Sequence, residues 1–323
     1  MPVSVIKLLV EQKAETVMAA RDGQIDARDW ALLGLLSVLW GGSFCFNGVV
    51  LKELPPLTVV FVRVVLASVM LLPLLRFYRL SFPSGLSGWA PFAAMALFNN
   101  VLPFSLILTA QTHITGGLAA ILNATTPLFT VLIMAAAGEE KLHARRIAGV
   151  VVGLVGVVIL RGKDFGFQSS QGFAVLLCLT AALCYGITAL LGRRLLSASP
   201  PLATATFQML ASSVMMAILA TVVEQPWQLP MPSMTTVLAI FALSALSTAL
   251  AYLVFFQVLQ RSGATNVVLV TLLIPVVAIL LGYLVLGESI SLQEIFGALV
   301  IGSALLLMDG RVFNLFRRPV PAP

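Results

Sequence analysis

Apolar residues in this chain fall into ten runs of about twenty, divided by short breaks rich in proline, glycine and charge. A helix needs roughly 20 mostly apolar residues to cross a bilayer, so each run predicts a span. The runs are Ala31–Val50, Leu57–Leu75, Gly88–Ala110, Gly116–Ala137 and Ile147–Leu160, then Gly172–Leu191, Leu202–Val223, Thr236–Leu259, Ala264–Leu286 and Leu292–Met308. The fifth is short and borrows Ala144–Arg146. The breaks hold residues that stop or start helices: Lys52-Glu53-Leu54-Pro55-Pro56, Ser199-Pro200-Pro201, Glu224-Gln225-Pro226 and Ser291-Leu292-Gln293-Glu294. The last has the spacing of a capping box.

Composition agrees that lipid is the solvent. Of 323 residues, 59% are hydrophobic and 10% charged, against roughly 25% charged in a soluble domain; mean hydropathy is +1.04. The net charge of +6 does not imply nucleic acid, because the basic residues sit singly or in pairs between apolar runs. Cys45, Cys178 and Cys184 lie inside apolar runs with no CxxC or Cys/His cluster, which argues against a disulfide framework, a zinc site or any other cofactor.

Charge also sets orientation. With the N-terminus inside, the outer loops hold only Lys52, Arg161 and Lys163, Arg63 lies within a span, and the other fifteen of the 19 Lys and Arg fall inside. This bias predicts an even span count with both termini cytoplasmic. Residues 1–29 carry no signal-peptide pattern and read as a cytoplasmic tail, as do 311–323.

An internal repeat underlies the count. Shifted by 148 residues, Thr115–Gly162 lies on Gly263–Gly310, aligning Pro127 with Pro275, Glu140 with Glu288 and Gly149 with Gly297. Pro55-Pro56 corresponds to Pro200-Pro201, and Trp40-Gly41-Gly42 lies opposite Cys184-Tyr185-Gly186. Each copy, 30–163 and 170–310, holds five spans. Because five is odd, the copies must be inverted. The expected fold is an all-α polytopic membrane protein of ten transmembrane helices in two inverted five-helix repeats, an organisation typical of secondary transporters.

These features resemble the drug/metabolite transporter superfamily, EamA type. The resemblance rests on Trp40-Gly41-Gly42-Ser43-Phe44, the Pro-Pro start of the second span followed by Arg63, Pro127 and Pro275 in the fourth and ninth spans, Gly138-Glu139-Glu140 with Gly287-Glu288, and Gly149 with Gly297. It covers about Trp30 to Gly310. It implies a substrate path between the halves, export or exchange of small metabolites, and helices five and ten set away from that path.

Candidate chemistry follows from what the spans carry. Arg63 is the one charge well inside a span; it either contacts an anion or a gate, or snorkels towards Glu53, headgroups or a loop carbonyl. No carboxylate lies near a span centre, which favours facilitated diffusion or exchange over proton drive, and His113 falls in the outer turn between spans three and four. Uncharged polar residues recur at matching depths in the two copies: Asn99-Asn100 with Ser247-Thr248, and Asn123 with Thr271. The predicted substrate cavity comprises Trp40, Asn47, Arg63, Asn99, Asn100, Asn123, Tyr185, Ser247, Tyr252 and Thr271, with Pro127 and Pro275 as hinges; interhelical hydrogen bonding is the competing role for each polar group. Gly149-x-x-x-Gly153 and Ala298-x-x-x-Gly302 are small-residue faces for packing within a monomer or across a homodimer. The partners implied are a small-molecule substrate and the bilayer of a cell inner membrane. A lipid-modifying enzyme or a passive pore is the alternative, but two isolated histidines supply no reactive cluster.

Overall fold

The computed structural model describes residues 26–161 and 169–309, and these contain helices and no β-strand. In chain order the helices are α1 (Ala27–Val50), α2 (Pro56–Phe77), α3 (Gly85–Ala96), α4 (Leu102–Gln111), α5 (Gly116–Asn123), α6 (Thr126–Ala136) and α7 (Ala144–Arg161), then α8 (Ser170–Leu195), α9 (Pro201–Val223), α10 (Met234–Ser244), α11 (Ala251–Leu281) and α12 (Leu292–Asp309). Three π-turns interrupt them at Leu97–Val101, Ala245–Leu250 and Gly282–Leu286. Residues 1–25 and the tail expected at 311–323 lie outside the described residues.

Eight helical stretches are long and apolar enough to cross a membrane: Ala27–Val50, Pro56–Phe77, Gly85–Gln111, Gly116–Ala136, Ser170–Leu195, Pro201–Val223, Met234–Leu259 and Leu269–Leu286. Leu292–Met308 is a shorter apolar helix, and α7 carries arginines at both ends. Large apolar side chains face outward along the helices, such as Val214, Ile218 and Val222 on α9. Water would penalise this exposure; hydrocarbon does not.

Local sequence explains the helix ends. Asp26, Thr115, Ser169 and Ser233 accept backbone N–H bonds as N-caps. Pro56 and Pro201 sit in first turns, where their missing N–H costs nothing. The capping box at α12 forms: Glu294 accepts from Ser291 N at 2.7 Å, and Ser291 Oγ accepts from Glu294 N at 3.2 Å.

One span differs from expectation. The fourth is broken at Ala124 and Thr125 into α5 and α6, so Pro127 opens a new helix, whereas Pro275 lies within α11. The end of the eighth expected span, at Leu259, and the ninth both fall within α11, and the chain reverses between them. Phe255 stacks on Trp40 at 5.5 Å, while Val277 lies against the adjacent Gly41; straight helix would separate those two partners by about 33 Å.

Helices pair closely where glycine permits. A Cβ on Gly41 would stand 2.7 Å from that of Val277 and 3.0 Å from the Ile274 carbonyl oxygen, which lets α1 lie against α11. Gly186 does the same for α8 against α6, where a Cβ would meet Phe129 and Thr130 backbone at 3.1 Å. The residues that do this are thus Gly41 and Gly186, one position from the register read above. Helices α7 and α12 pack through Gly149, Gly156 and Gly297, while Gly302 meets nothing within 4 Å. The small-residue face of α7 therefore packs inside the monomer, and that of α12 uses Gly297 in place of Gly302.

We expect Gly156→Val, which must displace Ile301 and crowd the Gly297 carbonyl, to lower stability by about 1–3 kcal/mol. Gly34→Ala, with open space around it, is tolerated. Unfolding of the purified protein in detergent measures both, and equal effects would refute the close α7–α12 approach.

Candidate functional site

The two π-turns at Leu97–Val101 and Ala245–Leu250 bring the central polar groups together. The first has a cause in sequence: Pro103 has no N–H to continue the ladder, and a wider turn precedes it. In the second, Thr248 Oγ1 donates to the carbonyl freed at Leu243, at 3.0 Å.

Between these turns four helices converge. Arg63 on α2 is 5% exposed; its Nε donates to Thr248 Oγ1 at 2.8 Å and its guanidinium lies 3.9 Å from the Phe104 ring centroid. The Tyr252 hydroxyl on α11 accepts from Asn99 Nδ2 at 2.8 Å and donates to Asn100 Oδ1 at 3.0 Å. Asn99 Nδ2 also reaches Gln208 Oε1 on α9 at 3.0 Å, and Asn100 Nδ2 reaches Ser212 Oγ at 3.0 Å. Near this network on the same helix pair, the hydroxyls of Ser68 and Ser213 meet at 3.0 Å.

Arg63 thus neither snorkels nor meets Glu53, whose carboxylate accepts from Ser233 N and Oγ and is held below the usual carboxylate range by those bonds. A desolvated cation–π contact contributes about 2 kcal/mol and a hydrogen bond to a charged group about 1.5–3 kcal/mol. Removing a guanidinium from water costs several kcal/mol. The local contacts offset that cost with little surplus.

Of the predicted residues, Asn99, Asn100 and Tyr252 share one hydrogen-bonded network, Arg63 bonds separately to Thr248, and Tyr185 is half-buried on α8. Ser247 lies in the second π-turn with its Oγ buried and unpartnered. Trp40 stacks on Phe255. Asn47 donates to Gln111 Oε1 at 2.7 Å, apart from the network, and its own Oδ1 and that of Asn123 are buried without partners. Thr271 is half-buried on α11. Gln208 and Ser212 were outside the predicted set. A signal existed: the shift of 145 residues that pairs Pro55-Pro56 with Pro200-Pro201 also pairs Arg63 with Gln208 and Ser68 with Ser213.

The two ends of the bundle are fastened differently. At the end assigned outside by charge, Glu224 accepts from Leu57 N and Thr58 N at 2.9 and 2.6 Å, and Glu288 accepts from Gly116 N at 2.9 Å. At the other end Arg261 pairs with Asp26 and Asp29, Arg194 with Glu139, and Arg146 with Glu140. A cavity of ≈ 480 Å³ opens at that inner end, between the α2–α3 loop and the start of α9, with Phe207 in its wall. Phe82, Trp89 and Phe92 ring Phe207 at 5.1–5.6 Å, and the next residue, Gln208, belongs to the network.

Tyr252→Phe leaves donors and acceptors of Asn99 and Asn100 unpaired and should cost about 1–3 kcal/mol in unfolding measurements. Ser247→Ala removes a hydroxyl without a partner and should change stability little. The reverse order would refute the network.

Comparison with known proteins agrees with this architecture. The model of the EamA-like transporter family matches residues 29–162 and again 172–308. An uncharacterized transporter of Archaeoglobus fulgidus is 28% identical over 276 residues, covering 82% of this chain and 91% of the relative. Probable amino-acid metabolite efflux pumps of Salmonella typhimurium and Escherichia coli are 24% and 25% identical, each covering 90% of this chain and 95% of the relative. A chain solved by crystallography shares the fold with a TM-score of 0.64 at 19% identity, over 88% of this chain and 98% of its own.

Proposed function

Because the chain belongs to the EamA-like transporter family, we propose that it exports or exchanges small organic metabolites across a bacterial inner membrane by alternating access between two inverted five-helix repeats. It is a membrane transporter and not an enzyme. The observation that carries the mechanism is the polar junction, to which each half contributes one π-turn and one buried side chain opposite it.

Several features support the repeat reading, with copies at 30–163 and 170–310. The shift of 148 lays Leu97–Val101 on residues 245–249, the second π-turn. The shift of 145 lays Gly41 on Gly186, two glycines with the same packing role. Exchanging the halves converts the α1–α11 contact into the contact of α8 with α5 and α6, and α3–α9 into α10–α2. The α2–α9 and α7–α12 contacts convert into themselves. Ser68 and Ser213 would then meet on the exchange axis. At 18 residues each, α7 and α12 reach about 27 Å, enough to serve as spans five and ten. The lysine and arginine bias supports a cytoplasmic location for both termini.

On this reading the outer end is closed by Glu224 and Glu288, and the cavity beside Phe207 is the inner vestibule. Substrate would bind around Arg63, Asn99, Asn100, Tyr185, Ser247 and Tyr252, with Trp40, Asn47, Asn123 and Thr271 along the path and Pro127 and Pro275 at bending points. Amino acids head the candidate cargo, since two relatives are named as amino-acid metabolite efflux pumps.

Counterflow into proteoliposomes, screened over amino acids, purines, sugars and cationic drugs, tests the function. We expect saturable exchange of at least one compound, and Asn100→Leu to reduce its transport more than it reduces folded yield. Linear flux that never saturates would indicate a pore. For topology, single cysteines replacing Ser84 and Gln228 should be labelled from the cytoplasm and the periplasm respectively; the opposite pattern would overturn the orientation.

A further inference from the structure

We infer that the central site takes its cargo by a carboxylate and that Arg63 receives it. This deepens the transport reading above and rests on it. A guanidinium carries five N–H donors arranged as a planar fork. Among the described residues Arg63 makes one hydrogen bond, from Nε to Thr248, so its terminal nitrogens have donors to spare. Phe104 covers one face of the fork and leaves its edge available.

Among the described residues no carboxylate pairs with this cation. The Asp and Glu side chains described all lie towards the ends of the bundle, where Arg261, Arg193 and Arg194 or helix N-termini engage them. The charge is 5% exposed and lies against the Phe104 ring and the Thr248 hydroxyl. A cationic cargo would meet like charge there. A phosphate dianion would exceed the single positive charge and leave a desolvated net anion. One carboxylate balances it, and its two oxygens match two N–H groups of the fork. The unpartnered hydroxyl of Ser247, next to Thr248 in the second π-turn, supplies a neutral polar contact to the remainder of such a molecule.

The test compares acids with their own amides. Thermal unfolding of the purified full-length protein is followed with acetate, benzoate and L-leucine, against acetamide, benzamide and L-leucinamide. Chloride and inorganic phosphate serve as controls at equal ionic strength. At least one acid should stabilise the protein saturably, with its amide weaker by roughly tenfold or more, the difference expected of a charge-assisted bidentate contact. Arg63→Gln should abolish the shift, and Arg63→Lys should retain part of it. Equal effects of acid and amide, no effect of any acid, reproduction of the effect by chloride or phosphate, or a shift retained in Arg63→Gln would each overturn the assignment. The acid–amide contrast on the unaltered protein decides the matter even if the glutamine variant does not fold. Counterflow with the same preparation separates the two readings. Exchange of neutral or cationic compounds without acid binding keeps the transporter and removes the carboxylate. Acid binding without any saturable exchange does the reverse.

Discussion

Hydrocarbon offers no hydrogen bonds, so every polar group carried into the interior of this bundle must find its partner within the protein. The chain meets most of that constraint by gathering Asn99, Asn100, Gln208, Ser212 and Tyr252 in one network and pairing Arg63 with Thr248, while Ser247 Oγ and the Oδ1 atoms of Asn47 and Asn123 stay buried without partners. Two π-turns make the junction possible. Each widens a helix by one residue, freeing a carbonyl and turning two consecutive polar side chains inward.

The uneven placement of lysine and arginine between the two ends of the bundle has a structural counterpart. Carboxylates at the arginine-rich end find arginines, and ion pairs tie the helices there. At the other end few cations are available, so Glu224 and Glu288 bind backbone N–H groups at helix N-termini, where the helix dipole favours negative charge. The charge asymmetry of the sequence thereby also selects the chemistry that fastens each end.

Much of this was legible in the sequence because hydrophobic run length is an almost direct statement of lipid exposure. Eight of the ten expected spans, the capping box at Ser291 and the interior hydrogen bonding of Arg63, Asn99, Asn100 and Tyr252 were visible in the pattern of apolar runs and their polar interruptions. The proposed repeat rests on proline and glutamate spacing. What could not be read depends on the approach of helices distant in sequence. Nothing local distinguishes Gly156, which faces Gly297, from Gly302, which faces nothing within 4 Å. Gln208 was legible only in part, since its significance depends on aligning α9 with α2 through their paired prolines.

The two halves carry similar turns but different side chains opposite them: a cation on α2 and an amide on α9. On the proposed alternating-access reading, halves of identical sequence would recreate the same central contacts when they exchanged conformations, and the two end states would have nearly equal energy. With Arg63 matched to Gln208, the exchange would hand the charge a different neighbour, trading Thr248 for the currently unpartnered Ser247. Unmatched pairs such as this one, and Asn99-Asn100 against Ser247-Thr248, would lift the degeneracy between the end states, making the resting population on each side of the membrane a heritable, tunable quantity rather than a consequence of symmetry.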